Sequence, residues 1–347
     1  KWGEAYVGEL SAGRGPYKLV SYNRSADMVI ARNPDYFLGW TKGTPIDEVR
    51  FIQTSDDATV KALAEKGDLG LSSHGLGNDT YETIGKMPGY KLLQSTTAGG
   101  FVIKLNSKVY PTDDVHVRRA IAYATDYKTI QEAIYPGFDM TGPLSTVFKD
   151  AHNDDIPPGV FDLEKAKEEL AKSKYAGQKI TLVNSYVASL AFESEVALLM
   201  QANLEQIGIT LDIKPEPWNR IVEHSSKPET TPASTQVNIS PNYPSPDAIF
   251  YNQYHSKASG TWMSMEWLQN PEVDALIDKA RATTDIKGQN ATYKELQAKL
   301  AELQPDVWAV SPNRRYAANK CLQGYEFIPM QSWDLNFSNF HWDCKAN

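Results

Sequence analysis

The adjacent residues Ser73 and His74 have side chains that could do nucleophilic chemistry. A histidine beside a serine can act as its general base, which is half of a hydrolase triad. No G-x-S-x-G motif accompanies the pair, and neighbouring residues on one segment rarely place a nucleophile and its base correctly. A Ser/His hydrolase therefore stays an alternative, beside a hydrogen bond to a ligand and a structural cap.

The spacing of histidine and cysteine predicts no metal site and no cofactor. The six histidines are scattered, with no His-x-x-x-His pair and no clustered cysteine. The two cysteines, Cys321 and Cys344, are too far apart for a Cys-x-x-Cys site. A disulfide between them would anchor the C-terminal tail in an oxidising compartment, and two unpaired buried thiols are the alternative.

Aromatic residues make up 11% of the chain, with 18 Tyr and 8 Trp. Their flat apolar faces and polar handles suit stacking on sugars, rings or extended peptides. Trp262 and Trp267 lie on a loop punctuated by Gly and Ser, where two tryptophans are harder to bury as ordinary core than on a helical stripe. We expect one of them to stack on a ligand, with core packing as the alternative.

The charge balance disfavours nucleic acid as a partner. Lys and Arg number 35 against 43 Asp and Glu, a net charge of −8, and the basic residues cluster no further than the pairs Arg118-Arg119 and Arg314-Arg315. Neutralising phosphates needs denser positive charge. No apolar run approaches the roughly 18 residues of a membrane span.

The elements that position these residues alternate between strands and helices. Alternating apolar residues at 17–22 and 27–32 predict two strands joined by a polar turn. A strand at 179–184, a helix at 190–207 and a strand at 209–213 predict a parallel β-α-β crossover. The fold class is therefore α/β.

Caps and breaking residues place the other elements. We predict helices at 58–64, 115–134, 163–173, 248–254, 271–284 and 286–303, and strands at 68–72, 101–105, 235–239 and 307–310. Ligands of open α/β sheets settle at the carboxyl ends of strands and between domains. Residues just after strands are therefore candidates for binding.

Four segments taken in order resemble one family. They are Gly13 to Leu19, Arg32 to Phe37, Pro45 to Phe51 and Val115 to Asp126. They are similar to the peptide, nickel and oligosaccharide class (family 5, cluster C) of extracytoplasmic solute-binding proteins that feed ABC importers. Arg14 stands where that family usually has Thr, and the resemblance covers nearly all 347 residues.

The resemblance implies a two-lobed, periplasmic-binding-protein-like (type II) fold with a hinge of two crossings. It places lobe I at 1–106, lobe II at 107–313 and a C-terminal return to lobe I at 314–347. Family members carry a long segment before the Gly-Pro-Tyr turn, whereas this chain begins at Lys1 without Met. We therefore expect the N-terminal part of lobe I to be missing from this sequence, together with any signal peptide.

The segment 240–251 resembles the family's A-D-Y-x-D-P-D loop, in which the first Asp of peptide-binding members takes the α-ammonium group of the ligand. Asn242 stands at that position. Its amide can exchange hydrogen bonds with hydroxyls but cannot neutralise an ammonium. Asp247 matches the later Pro-Asp pair and is also a candidate cap of the following helix. Tyr243 and Tyr251 are further candidate contacts, with packing as the alternative.

Two more segments complete the predicted site. Trp218 follows a strand, where the family commonly has a polar or aromatic residue that lines lobe II. The loop of Gly99, Gly100 and Phe101 is loosened by glycine, so its amides can approach a ligand. The predicted ligand-binding set is Ser73, His74, Gly99, Gly100, Phe101, Trp218, Asn242, Tyr243, Asp247, Tyr251, Trp262 and Trp267.

The resemblance and this set imply a receptor that closes its two lobes on a small polar solute and delivers it to a membrane permease. A glycoside, opine or related conjugate is the predicted solute. An oligopeptide or dipeptide stays an alternative, because recognition through the peptide backbone does not need the missing carboxylate. The chain is predicted not to be an enzyme, and to be a periplasmic monomer whose partner is an ABC permease.

Overall fold

Strands and helices alternate along the chain, and the computed structural model describes them over residues 3, 13–23, 26–40, 45–54, 56–327 and 335–345. In that part, unit 1 contains the residues up to Gln94 and those from Arg315 onward. Unit 2 runs from Ser95 to Arg314. The described chain therefore passes between the units twice, as a hinge of two crossings requires.

Unit 1 begins with a small antiparallel sheet and two helices. Its first elements are β1 (Tyr17–Asn23), β2 (Asp27–Arg32), β3 (Glu48–Ile52), α1 (Asp57–Lys66), α2 (Asn78–Gly85) and β4 (Tyr90–Thr96), the last of which runs across the first crossing. The order β1-β2-β3 confirms the predicted strands at 17–22 and 27–32. The strand predicted at 68–72 does not form. In its place Leu71 makes an isolated bridge with Ala318.

Unit 2 contains most of the regular structure. Its elements are β5 (Gly100–Leu105), α3 (Val115–Tyr123), α4 (Tyr127–Thr129), β6 (Gly137–Phe138), α5 (Leu163–Lys172), β7 (Ile180–Val187), α6 (Ala191–Glu205), β8 (Ile209–Glu216), α7 (Trp218–His224), β9 (Ser234–Ile239), α8 (Asp247–Tyr254), α9 (Pro271–Ala282), α10 (Ile286–Leu303) and β10 (Asp306–Asn319). β10 continues past Arg314 into unit 1, where β11 (Leu322–Gln323) and β12 (His341–Trp342) pair.

The sheet of unit 2 has the strand order β10-β5-β9-β7-β8. β7 and β8 are parallel along their whole lengths, which confirms the predicted β-α-β crossover. β9 is parallel to β7, and β5 is antiparallel to β9 and β10. Phe101 and Ile103 lie in one apolar cluster and Val102 in another, because successive side chains of a strand point to opposite faces.

The helix predicted at 115–134 is interrupted. α3 ends at Tyr123, and the next turn begins where the Asp126 carboxylate accepts a hydrogen bond from the Thr129 N–H. A π-helical turn, Ile130–Ile134, follows. The break arises because a side-chain cap at Asp126 competes with continuation of the backbone ladder.

The strand predicted at 307–310 is much longer, because β10 continues through Pro312. Pro312 lies opposite Gly137 of the two-residue strand β6. A strand tolerates a proline at a position where the backbone N–H is not needed for a hydrogen bond to a neighbouring strand. The prediction that this strand ends before Pro312 is therefore wrong.

The first boundary between the units also differs from the prediction. The sequence predicts it after residue 106, at an extended stretch, whereas in the structure it lies between Gln94 and Ser95. β5 pairs with β9 and β10, so 100–105 belongs to unit 2.

In unit 1, Cys321 and Cys344 form a disulfide, so the predicted pairing is present and the alternative of two unpaired thiols is not.

Candidate functional site

Several predicted binding residues lie at one edge of the unit 2 sheet. Because β8 and β9 both run parallel to β7, their carboxyl ends meet at the same edge. Trp218 follows β8 there, and Asn242 follows β9. β5 starts at this edge, since Gly100 lies opposite Ile239, the last residue of β9. We call it the carboxyl edge.

Trp218 and Trp262 form an aromatic pair. Their ring centroids are 5.2 Å apart at an interplanar angle of 73°, an edge-to-face arrangement. Trp218 is 39% exposed, and Trp262 is partly buried against the apolar core of unit 2. The pair therefore offers a preformed apolar surface on which a ligand can stack. We call it the tryptophan pair.

Trp267 does not belong to that surface. Only 7% of it is exposed, and its indole N–H donates to Thr231 Oγ1 at 2.9 Å. Its backbone has φ 49°, a left-handed conformation that is unusual for a bulky residue. The predicted ligand contact at Trp267 is thus corrected, because the side chain anchors its own loop.

Three other predicted residues form a connected group around Asp247. The Tyr243 hydroxyl donates to Asp247 Oδ2 at 2.7 Å, and Arg281 Nε lies 3.4 Å from Asp247 Oδ1. The Arg281 guanidinium also lies 4.0 Å from the centroid of the Tyr251 ring. Burial and the neighbouring Asp247 raise the pKa of Tyr243 to about 12, so this phenol stays protonated and donates.

The Asp247 carboxylate is therefore already compensated by an arginine and a phenol. It does not cap α8 as predicted, since the residue before that helix is Pro246 and no side-chain cap is made there. Sequence reasoning missed Arg281, because no local signal links a residue near the end of α9 to the loop after β9. Asn242 is exposed beside this group and offers an uncharged amide.

Gly99, Gly100 and Phe101 are buried, contrary to the prediction of an open loop. A Cβ at Gly99 would collide with the Ile239 carbonyl oxygen, and one at Gly100 with the Met140 sulfur. Phe101 has no exposed surface and packs edge-to-face on Tyr135 and Phe192. The glycines permit close strand packing, and Phe101 is a core residue.

Ser73 and His74 lie in unit 1, in a turn after Leu71. The Ser73 carbonyl accepts hydrogen bonds from the hydroxyls of Ser72 and Tyr81, both at 2.8 Å. The Ser73 hydroxyl accepts from the Gly75 N–H at 3.4 Å, and the His74 ring lies edge-on to Tyr316 at 6.3 Å. These contacts are those of a structural turn.

Two kinds of feature are absent from the part of the chain that the structure describes. No group of three or more His, Cys, Asp or Glu side chains there has the arrangement of a metal site. Of the helices in the described ranges, none combines the length and the apolar character that a bilayer crossing requires.

Comparison with solved structures identifies the fold. The Helicobacter pylori ABC transporter-associated periplasmic binding protein DppA, in complex with the peptide STSA, matches with a TM-score of 0.84 and 21% identity, over 94% of this chain and 62% of that one. Bacillus subtilis AppA with a nonapeptide matches at 0.82 and 23%, over 95% and 66%. The two-lobed periplasmic-binding-protein fold is thereby confirmed.

The sequence then gives the family. Residues 1–261 match the middle region of the bacterial extracellular solute-binding proteins, family 5, and the chain belongs to that family. The oligopeptide-binding protein AppA of Bacillus subtilis is 24% identical over 335 residues, which cover 91% of this chain. The probable D,D-dipeptide-binding periplasmic protein DdpA of Escherichia coli is 22% identical over 352 residues, 96% of this chain. The chain spans 60% and 63% of the lengths of these relatives.

A third solved structure carries a different solute. The binding protein AgaA from A. tumefaciens R10, in complex with agropinic acid, matches with a TM-score of 0.81 and 23% identity, over 95% of this chain and 67% of that one.

Proposed function

We propose that this chain acts as the solute-binding receptor of an ABC importer and that its solutes are peptides. The observation that carries the proposal is the match of residues 1–261 to family 5, together with relatives whose names state oligopeptide or dipeptide binding. Peptides thus rank above the glycosides, opines and conjugates that the sequence favoured. These relatives are named as binding proteins, which supports a role without catalysis.

The tryptophan pair supplies apolar contact area at the carboxyl edge, and Asn242 supplies an exposed amide. Together they suit an extended chain whose backbone amides exchange hydrogen bonds while a side chain stacks on the rings. The two units are proposed to close on the solute and so to shift an equilibrium between open and closed forms. An ABC permease would recognise the closed form.

A periplasmic location fits the disulfide, since disulfides persist in oxidising compartments. It also fits the Escherichia coli relative DdpA, which is named as a periplasmic protein. We propose that the protein acts as a monomer, which light scattering of the purified protein tests.

Native mass spectrometry of the purified protein tests the proposal directly, because it identifies whatever has co-purified. Defined peptides are then added while tryptophan fluorescence is followed. We expect a saturable change, with the peptide recovered intact after long incubation. Product formation that a His74→Ala variant abolishes would instead support the hydrolase at Ser73 and His74.

An opine is the second candidate solute, favoured by Asn242 and by the agropinic acid complex of AgaA. The variant Asn242→Asp separates the two classes, because a carboxylate can pair with an ammonium and an amide cannot. We expect Asn242→Asp to shift preference toward amine-bearing ligands about tenfold, the equivalent of one charge-assisted hydrogen bond. Equal affinity for neutral and ammonium analogues in both proteins would contradict this role of Asn242.

A further inference from the structure

Three ionisable side chains meet in the interior of unit 2. Lys104 Nζ lies 3.1 Å from Glu266 Oε2 and 3.2 Å from Asp306 Oδ2, and all three side chains have no exposed surface. Gln253 Oε1 accepts a further hydrogen bond from Lys104 at 2.6 Å. We call Lys104, Glu266 and Asp306 the buried charge cluster. Buried charge clusters of this kind contribute little to stability, so a role in positioning other residues is the alternative explanation for this one.

The charges of the cluster do not balance when both carboxylates are ionised. Asp306 Oδ2 accepts a hydrogen bond from the Tyr254 hydroxyl at 2.6 Å as well as one from Lys104. The ionised form of Asp306 is therefore better stabilised by hydrogen bonds than that of Glu266. Among the described residues, Asp306 Oδ1 has no hydrogen-bond partner, and Glu266 Oε2 has only its ion pair with Lys104 at 3.1 Å. Burial raises the pKa of Glu266 to about 7 against the opposing effect of Lys104. A single proton on the cluster makes it neutral.

Glu266 lies in a buried and strained loop. Residues 263–268 are all buried, and the backbone is left-handed at Trp267 (φ 49°) and at Gln269 (φ 41°). Non-glycine residues hold such conformations only where their surroundings impose them. Here the Ser264 hydroxyl donates to Glu266 Oε1 at 3.1 Å, and the Ser107 N–H donates to the Glu266 carbonyl at 2.8 Å.

The same loop carries Trp262. This residue precedes the buried segment directly, and its ring contacts Trp218, which belongs to a different element, α7. The position of the Trp262 ring therefore depends on where the buried segment is held.

We infer that the buried charge cluster positions Trp262 against Trp218, so that the tryptophan pair loses its geometry when Lys104 is removed or when Glu266 ionises. Lys104, Glu266 and Asp306 are positioning residues that touch no solute. The consequence for solute affinity rests on the proposed function, whereas the consequence for Trp262 itself does not.

The direction of the pH effect follows from the groups that face Glu266. These are Lys104 from β5, Asp306 from β10, Tyr254 from α8 and Ser264 from its own loop. A carboxyl group whose pKa is raised by folding stabilises at low pH, and this contribution is lost as the pH rises through the folded value. The loop is therefore held firmly below pH 7 and loosens above it.

Acrylamide quenching of the ligand-free protein tests the inference. The signal of Trp262 is isolated as the difference between each protein and the same protein carrying Trp262→Phe. In the natural sequence, we expect Trp262 to become more accessible as the pH rises through about 7. In Glu266→Gln, which keeps an uncharged side chain at every pH, we expect low accessibility that does not change.

Glu169→Gln is the matched control, since it makes the same change in unit 2 at a carboxylate that pairs with Lys172 and His116, both at 2.7 Å. It should keep the pH dependence of the natural sequence. Accessibility of Trp262 that is independent of pH in the natural sequence would overturn the inference. A pH dependence that persists in Glu266→Gln would do the same.

Solute binding gives a second readout. We expect Lys104→Met to weaken affinity about tenfold and to add little in a Trp262→Phe background, because the two changes act on one contact. Additive losses would mean that Lys104 does not act through Trp262. If Lys104→Met fails to fold, the quenching comparison above still decides. A folded protein that binds no peptide contradicts the proposed function alone.

Discussion

At the residue scale, unit 2 contains another buried carboxylate, whose ionisation opposes folding. Glu193 has no exposed surface, and its Oε2 accepts from the Val187 N–H at 2.7 Å. Its Oε1 has no hydrogen-bond partner among the described residues. Burial raises the pKa of Glu193 to about 8, against the opposing effect of the Val187 hydrogen bond.

Glu193 makes stability depend on pH. Between its ordinary value of 4.5 and about 8, the folded protein holds a proton that the unfolded chain has released. The free energy of unfolding therefore falls as the pH rises through this window, by on the order of 5 kcal/mol. Glu193→Gln should remove most of that slope in urea denaturation at a series of pH values, and Glu266 should account for a smaller remainder. Equal slopes in both proteins would show that Glu193 stays ionised in the fold.

Residue types at the site could be predicted, but their partners could not. The prediction of Trp218 rests on its place after a strand and on the family resemblance, and that of Trp262 rests on a loop punctuated by Gly and Ser. Their contact, however, joins two elements far apart in sequence. Asp247 was identified too, but its compensation by Arg281 depends on how α9 packs near α8. The prediction of an accessible loop at Phe101 is wrong, because glycines that suggest an open loop also permit close packing between strands.

At the scale of elements, capping side chains decide where helices begin. α9 begins at Pro271 after Asn270, whose side chain accepts from the N–H groups of Glu272 and Val273. The sequence predicted this start, and it gave both ends of α10 correctly. It failed at 115–134, because a cap inside a long apolar pattern is hard to tell from an ordinary polar residue.

The cap of α9 should matter to the site, because Asp274 of that helix accepts from the Ser256 N–H at 2.8 Å, just after α8. We expect Asn270→Ala to lower the free energy of unfolding by about 1 kcal/mol, since two backbone donors lose their partner. Asn270→Asp is the control and should behave like the natural sequence, because aspartate caps equally well. Chemical denaturation measures both, and equal losses in the two variants would mean that the cap is not the cause.

At the scale of the whole molecule, the chain forms two units, each with buried apolar clusters of its own. The sequence predicted two lobes from resemblance, but its first boundary was misplaced. Where a chain crosses is set by strand pairing, and the pairing of β5 with β9 joins residues more than a hundred positions apart. The local composition of a segment does not predict a pairing between residues so far apart in sequence.

The disulfide allows the two units to be distinguished in unfolding. Both cysteines of the chain lie in unit 1, 23 residues apart, so a reductant has no target in unit 2. Closing a loop of that size restricts the unfolded chain, so reduction should destabilise unit 1 by about 3 kcal/mol. Calorimetry should show one transition moving to lower temperature while the other stays, and Cys321→Ser/Cys344→Ser should show the same shift without reductant. If both transitions move together, the units unfold as one cooperative body, and the disulfide stabilises the whole chain.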